Sequence, residues 1–450
     1  MEPAPRTAEE VLDRLDTDQI ERLWVIYHDY SGRAQAKTVP RPAFRSTVER
    51  GLGFAMANLN MDSLDHQATG ATLLAGSGDF QAVPDPRSYA VIPYLPATAR
   101  LHAWMRLADG TPFAGCPRER LRATIDTLAT AGFTAQVAFE PEFYLLRHVE
   151  GTEYAPANRT TMFSRDGLVV ADTFIVQLLG ELGRLGIEVT QLGKEYGQGQ
   201  YEVNFRHADA LGAVDDYLTV TGTVRDVARR EGLVATFMPK PYAGWPGNSL
   251  HVHISLWNET GRELFPAIDE ETTISDTGRW FIGGILNRAA ALTGLGCPTV
   301  NSYKRLLPGS WAPANTYWGI GNRSGMVRVP GLGGRRHIEV RSGDNSCQPF
   351  LYLTGLLAAG LDGIQRQVDP GPAFEGDVGQ MTPAQIMAAG IGFLPRFLPE
   401  ALDALEADPV IGEAIGEEAM RHFLAVKRNE LFEHNLEVHP WERATYLEVI

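Results

Sequence analysis

A chain of 450 residues, 44% hydrophobic and 21% charged, predicts a soluble protein with a large buried core. Its formal charge of −15 argues against non-specific binding to nucleic acid or to anionic membranes. Three cysteines, Cys116, Cys297 and Cys347, lie far apart with no C-x-x-C pair, which fits a reducing cytoplasm and gives no case for a zinc or disulfide framework.

In chain order, residues 8–19 read as a short helix. The start is acidic and has no basic segment leading into an apolar one, so no secretory signal is expected, and no apolar run approaches a membrane span. "LWVIYHDYSGRAQAKTVP" predicts a strand, a turn at Ser31-Gly32 and a second strand ending at Pro40. Residues 76–96, rich in Gly and Pro, predict short extended pieces. The turn-rich "DGTPFAGCPRE" precedes a helix, "RERLRATIDTLATAGF", and divides the chain into domains over 1–112 and 113–450. Beyond that point strand-like and helix-like segments alternate without repeats, giving an α+β fold whose C-terminal end is mainly helical.

Four segments combine an apolar face with a polar one of unusual composition. In "QVAFEPEFYLL", Glu140 and Glu142 share a face, opposite Val137, Phe139, Phe143 and Leu145. In "NSLHVHISLW", His251, His253 and Ser255 oppose Val252, Ile254 and Leu256; in "RRHIEVRSGD", His337, Glu339 and Arg341 oppose Ile338 and Val340. In "KEYGQGQYEVNF", a glycine-punctuated turn separates Glu195 from Glu202, which shares a face with Asn204. A sheet with a solvated face alternates in the same way, but these faces carry glutamate and histidine and no lysine. If they line one cavity, their five carboxylates and an imidazole suit Mg²⁺ or Mn²⁺ rather than zinc. Metal would then explain why Glu140 and Glu142 sit together. Pro141, which cannot donate to a ladder, predicts an edge strand or a local distortion.

From Asn301 to Arg341 seven basic residues (Lys304, Arg305, Arg323, Arg328, Arg335, Arg336, Arg341) accompany a single acid, Glu339, for a net +6 in an acidic chain. Arginine dominates, which favours bidentate recognition of carboxylate or phosphate. Any one of them could instead pair with a surface acid. Arginine beside a divalent ion stabilises a transferring phosphoryl group. No P-loop or Rossmann fingerprint occurs in a usable context.

Taken in order, "FEPEFYLL", "KEYGQGQYE", "ATFMPKP", "HVHISLW", "NSYKRLLPGSWAP", "GNRSGMVRVP" and "HIEVRSGDNSCQPFLYL" resemble the glutamine synthetase family, from about Leu23 onward. The resemblance implies an N-terminal β-grasp domain, a large α/β catalytic domain, and stacked hexameric rings with active sites between neighbouring subunits. By position it implies Glu142, Glu195 and Glu202 as ligands of the metal on the glutamate side, and Glu140, His251 and Glu339 as ligands of the metal on the ATP phosphates. His253 and Ser255 match contacts to ATP, and Arg323 and Arg328 match arginines on its phosphates. Arg305 and Arg341 match the arginines that hold glutamate and its developing phosphate, and Gly247 in "WPGNSLH" is the best-matched contact of the glutamate-binding loop. The chemistry implied is transfer of the ATP γ-phosphate to the glutamate side chain, then attack by an amine, giving a γ-glutamyl amide.

The departures bear on the amine. Ammonia-using members of the family read P-G-Y-E-A-P where this chain reads "PGSWAP", so Ser310-Trp311 replaces the glutamate that deprotonates ammonium. An alkylammonium with a pKa of ~10.4 is only about one part in 10³ free base near pH 7, a deficit of roughly 4–5 kcal/mol that a base must help supply. Three explanations stand: another carboxylate such as Asp62 or Asp65 serves; the nucleophile has a low pKa of its own; or amide formation is lost. The indole of Trp311 offers an apolar and cation-π surface for an organic amine, or packs the loop. His337 stands where an arginine is usual, and no tyrosine precedes "FLPRFLPE" as a site of adenylylation. The reading that follows is an ATP-dependent glutamate–amine ligase. Authentic glutamine synthetase and a non-catalytic structural or regulatory homologue are its rivals.

Overall fold

Thr7 opens the first helix, α1 (Ala8–Thr17), by accepting the Glu10 amide at 3.2 Å, with Glu9 and Glu10 in the turn where the helix dipole favours acids. The buried Val11 and Leu15 of α1 meet Phe44 and Val48 of α2 (Phe44–Arg50) over the outer face of a mixed sheet. Its main strands are β1 (Arg22–His28), β2 (Ala34–Pro40), β3 (Leu52–Ala55), β4 (Asp79–Pro84) and β5 (Thr98–Arg106), in the order β2-β1-β5-β4-β3, with the two-residue strand Ala90–Val91 also paired to β5. Only β1 and β5 run parallel; the other pairs are antiparallel. The turn foreseen at Ser31-Gly32 needs its glycine twice over. Gly32 has φ +73°, and a Cβ there would stand 2.7 Å from the Cys347 carbonyl. The computed structural model describes residues 4–151, 153–267, 274–309, 312–330 and 336–450, so Ser310, Trp311 and Arg335 lie outside the described residues.

The other face of this sheet meets the larger half of the chain. His28 and His102 are buried with ring centroids 5.4 Å apart, beside Phe350. Arg118, in the first turn of α3 (Pro117–Thr130), bridges Asp85 of the small sheet at 2.8 Å and Asp215 at 2.9 Å.

The larger sheet is built on β6 (Phe133–His148), with β7 (Val189–Lys194), β8 (Gln200–Phe205), β9 (Leu250–Asn258), β10 (Trp318–Ile320), β11 (Val327–Val329) and β12 (Ile338–Val340) in the order β10-β11-β12-β9-β6-β8-β7. All neighbours along this path are antiparallel except β10 and β11. Val137, Phe139, Phe143, Leu145, Val203, Val252, Ile254, Ile338 and Val340 are at most 1% exposed, under α3 and α4 (Ala210–Arg230), which pack directly on β6. One face of the sheet is thus a helix-covered core. The polar side chains are left on the other.

Pro141 does not mark an edge. β6 is an interior strand, and the expected distortion takes another form. Up to Pro141 the strand pairs with β9; from Glu142 onward it pairs with β8. The proline falls where the strand exchanges one ladder for another, so its missing N–H interrupts neither. The chain ends in helices Leu398–Ala407, Pro409–Ile415, α5 (Glu417–Leu436) and Pro440–Tyr446, as the sequence predicts. Among the described residues no helix is long and apolar enough to cross a membrane, and all three cysteines are buried and unpaired.

Candidate active site

Antiparallel register places the polar side chains opposite one another. His251 faces Glu140, His253 faces Glu339, Arg328 faces Glu339, and Glu202 faces Glu142. The His251 Nδ1 lies 3.1 Å from Glu140 and 3.3 Å from Glu339, and the His253 Nε2 lies 3.0 Å from the other Glu140 oxygen. Arg328 reaches Glu339 at 2.8 Å, and Arg341 pairs with its second oxygen. Two groups of ligand atoms, each within 4.8 Å, result: Glu140, His251 and Glu339, and Glu142, Glu202 and His251. Glu195 stands outside both groups, in the turn between β7 and β8.

The electrostatics show how crowded this face is. Burial and then the charges of Glu142 and Glu140 push the Glu195 carboxyl up to about 7. Burial and the negative charge of Glu140 raise the Glu202 carboxyl far more. Burial opposes ionisation of Glu140 as well, but hydrogen bonds from His251 and His253 outweigh it and hold that carboxyl below the usual range. Glu339 likewise is held at about 2 against burial, by His251, Arg341, His253 and Arg328. His253 is raised despite burial because Glu140 and Glu339 flank it, while burial and His253 lower His337 to about 4. One side of the site is balanced by cationic groups. The other, with Glu142, Glu195 and Glu202, carries an excess of carboxylate that a hard divalent cation would relieve. The donor set is oxygen-rich with one shared imidazole, and it fits Mg²⁺ or Mn²⁺ better than zinc.

Of the remaining predicted residues, Ser255 accepts the Trp257 indole N–H at 3.0 Å, so an aromatic ring continues the face that bears His253. The Arg323 main-chain carbonyl accepts the Arg341 Nε at 3.0 Å. Arg305 is 3% exposed and turned inward, donating to the carbonyls of Ser342 and, at 3.0 Å, Gly343. Its side chain lies against Gly247, where a Cβ would stand 2.4 Å from the Arg305 Cγ. Asp62 is not brought to this face. It is buried, accepts the amides of Leu64 and His66 at 2.8 and 2.9 Å, and receives Asn429 of α5 at 3.2 Å. Asp65 is the exposed acid of that loop and pairs with Arg33 at 3.2 Å.

Several supporting residues escaped the sequence reading. Gln200 Nε2 donates to the Gly247 carbonyl at 2.9 Å and approaches Glu142 at 3.4 Å. The Asn345 amide ties the Glu142 carbonyl at 3.1 Å to that of Ser249 at 2.9 Å. Gln200 shares its face with Glu202, so period-two alternation could have found it. Asn345 lies in a loop and gave no periodic signal.

Residues 7–113 match the family model of the glutamine synthetase N-terminal domain, and residues 114–446 that of the glutamine synthetase catalytic domain. The chain is 36% identical to a glutamate–methylamine ligase of Methyloversatilis universalis, over 96% of this chain and 98% of that protein. It is 34% identical to a glutamine synthetase of Halobacterium salinarum, over 97% of this chain and 96% of that one. A solved structure named "GmaS/ADP complex-Conformation 1" superposes with a TM-score of 0.86 at 32% identity, covering 97% of this chain and 99% of the other.

Proposed function

The chain belongs to the glutamine synthetase family and is an ATP-dependent carbon–nitrogen ligase, and from that premise we propose that it joins the γ-carboxylate of glutamate to an organic amine. The observation that carries the reading is the meeting of Glu140, Glu142, Glu202, His251 and Glu339 in two ligand groups, with Arg328 and Arg341 on Glu339.

In this reading Glu142, Glu195 and Glu202 hold a Mg²⁺ or Mn²⁺ ion on the acid side, and Glu140, His251 and Glu339 hold one on the phosphate side. When bound, such ions neutralise charge on a transferring phosphoryl group. Arg328, Arg341 and Arg323 border the phosphate side; Arg305 and Gly247 border the acid; His253 and Ser255 lie toward the nucleotide. The glutamate γ-carboxylate attacks the ATP γ-phosphorus and the bond to the ADP oxygen breaks. The amine nitrogen then attacks the acyl carbon, the C–O bond to phosphate breaks, and the amine proton passes to a base. We place that base in the 61–67 loop of an adjoining copy, at the exposed Asp65 rather than the buried Asp62, whose oxygens Leu64, His66 and Asn429 already engage.

The preference for an organic amine is supported by Trp311, which stands where ammonia-using members have a glutamate. It is also supported by the methylamine ligase among the relatives. A second reading, ammonia as nucleophile, is favoured by relatives named glutamine synthetase at similar identity. The non-catalytic alternative has little support, because every matched ligand position carries a competent side chain. We further propose a domain boundary at 112/113, a cytoplasmic location and an assembly of stacked hexameric rings. ADP release with glutamate and Mg²⁺, across ammonium and a panel of alkyl and aryl amines, tests the function. A γ-glutamyl amide of an organic amine should form faster than glutamine, and a clear win for ammonium would remove the proposal.

A further inference from the structure

Lys194 ends β7 one residue before Glu195 and is only 1% exposed. Its ammonium group donates to the main-chain carbonyl of Glu195 at 2.6 Å and to that of Gly197 at 2.5 Å. Both acceptors belong to the turn that carries Glu195; neither is a carboxylate. The lysine stem has no slack, because a Cβ on Gly167 would lie 2.6 Å from its Cγ. Gly167 is itself fixed by the Tyr201 hydroxyl, which donates to its carbonyl at 2.6 Å.

The hydrogen bonds continue toward the site. The Gly197 carbonyl also accepts the Gln200 amide at 3.0 Å, and the Gln200 side chain receives the Gly197 N–H at 2.8 Å. The Gln200 side chain then approaches Glu142 at 3.4 Å. Lys194 thus anchors one end of a chain of bonds whose other end is the opposite carboxylate of the acid-side group.

A buried ammonium loses its hydration and must be hydrogen-bonded to be tolerated, whereas a methionine would fill similar space without that cost. Charge counting gives the group a use. Glu142, Glu195 and Glu202 bring three negative charges, a divalent ion returns two, and one fixed cation behind the turn completes the balance. We infer that Lys194 is a positioning residue for cation binding on the acid side, holding the turn that aims Glu195 and supplying this charge. The inference rests on the cation-binding roles proposed above.

Mn²⁺ itself is the probe, titrated into the full chain without substrates and followed by electron paramagnetic resonance of the free ion. Lys194→Met should weaken one of two Mn²⁺ sites at least tenfold and leave the other within twofold, with the Mg²⁺ requirement of turnover rising in the same ratio. Wild-type affinity at both sites, or equal weakening of both, overturns the inference. If circular dichroism shows that Lys194→Met does not fold, Lys194→Gln, neutral but still a donor, is read against the same two outcomes. A wild-type protein that takes up no Mn²⁺ would instead overturn the underlying cation reading.

Discussion

Glu202 stands directly across the ladder from Glu142, so two carboxylates face each other on neighbouring strands with Glu195 close by. Like charges in this position destabilise a sheet unless protons or cations intervene. Without an ion, protons do so: burial and neighbouring charge raise the Glu202 carboxyl, and the Glu195 carboxyl to about 7. A cation must displace them. Mg²⁺ or Mn²⁺ binding should therefore release protons near neutral pH and tighten as pH rises, by up to about tenfold per unit for each proton released. Calorimetry in buffers of different ionisation enthalpy measures the release, and a binding heat independent of buffer would contradict it.

Glu339 is fully buried and carries Arg328, Arg341 and His251 at once. Glu339→Gln should lower ADP release by about 10²-fold or more, since both the proposed cation and the guanidinium groups lose their anchor. Glu339→Ala should also cost roughly 3–5 kcal/mol of stability, because it strands two guanidinium groups with no carboxylate. Urea titration and ADP assays separate the effects. Unchanged turnover in the glutamine variant would dismiss the assignment.

Gly247→Ala would set a methyl group 2.4 Å from the Arg305 Cγ and 2.9 Å from the Pro239 carbonyl. The arginine can move; the carbonyl cannot. The expected result is a rise of about tenfold or more in KM for the acid substrate, with little change in KM for ATP. Initial-rate kinetics with each substrate varied in turn provide the check, and an equal rise for both would show a general distortion instead.

Trp311→Glu places an acid where the family resemblance implies one for ammonia-using members. The ratio of ammonium to organic-amine turnover should rise, by about tenfold or more on the usual scale of a positioned general base. Competition between the two amines, read by product mass, tests this. An unmoved ratio would leave the indole without a role in amine choice.

Burial, with Arg118 and Arg100 nearby, depresses His28 to about 3, and burial with Arg100 depresses His102 well below its ordinary value. Both rings stay neutral in the folded chain. The unfolded chain protonates them below about pH 6.5, so their contribution is complete above that pH and is lost as pH falls toward the folded values. Each ring should cost about 1.4 kcal/mol per pH unit over that window. Thermal melts at pH 7.5 and 5.0 should show a smaller acid-induced drop for His102→Leu than for wild type, and parallel drops would exclude the linkage.

The polar faces were legible because alternation in a strand is a local signal: Glu140 with Glu142, and His251 with His253, needed no knowledge of their neighbours. Which faces converge depends on strand order, and only the resemblance to a family supplied it. Pro141 shows the limit of a local rule. A missing donor reads as an edge until the partners on each side are known. Nothing local in the sequence marks Lys194, because its burial and the packing of its stem against Gly167 join residues remote in sequence. Arg305 was legible as a cation but not in direction, and its turn toward main-chain carbonyls is set by a loop without periodicity.

A strand that trades partners at a proline works as two half-strands on one spine. Glu140 and the histidine strand belong to the first half, Glu142 and the Lys194 turn to the second. His251 belongs to both ligand groups, and Asn204 of β8 reaches back to Glu140 at 3.2 Å. Under the proposed cation roles, remodelling on one half is therefore felt on the other through these two side chains. A change of nucleophile on the proposed acid side must leave the His251 and Asn204 links intact if the proposed phosphate side is to keep its geometry.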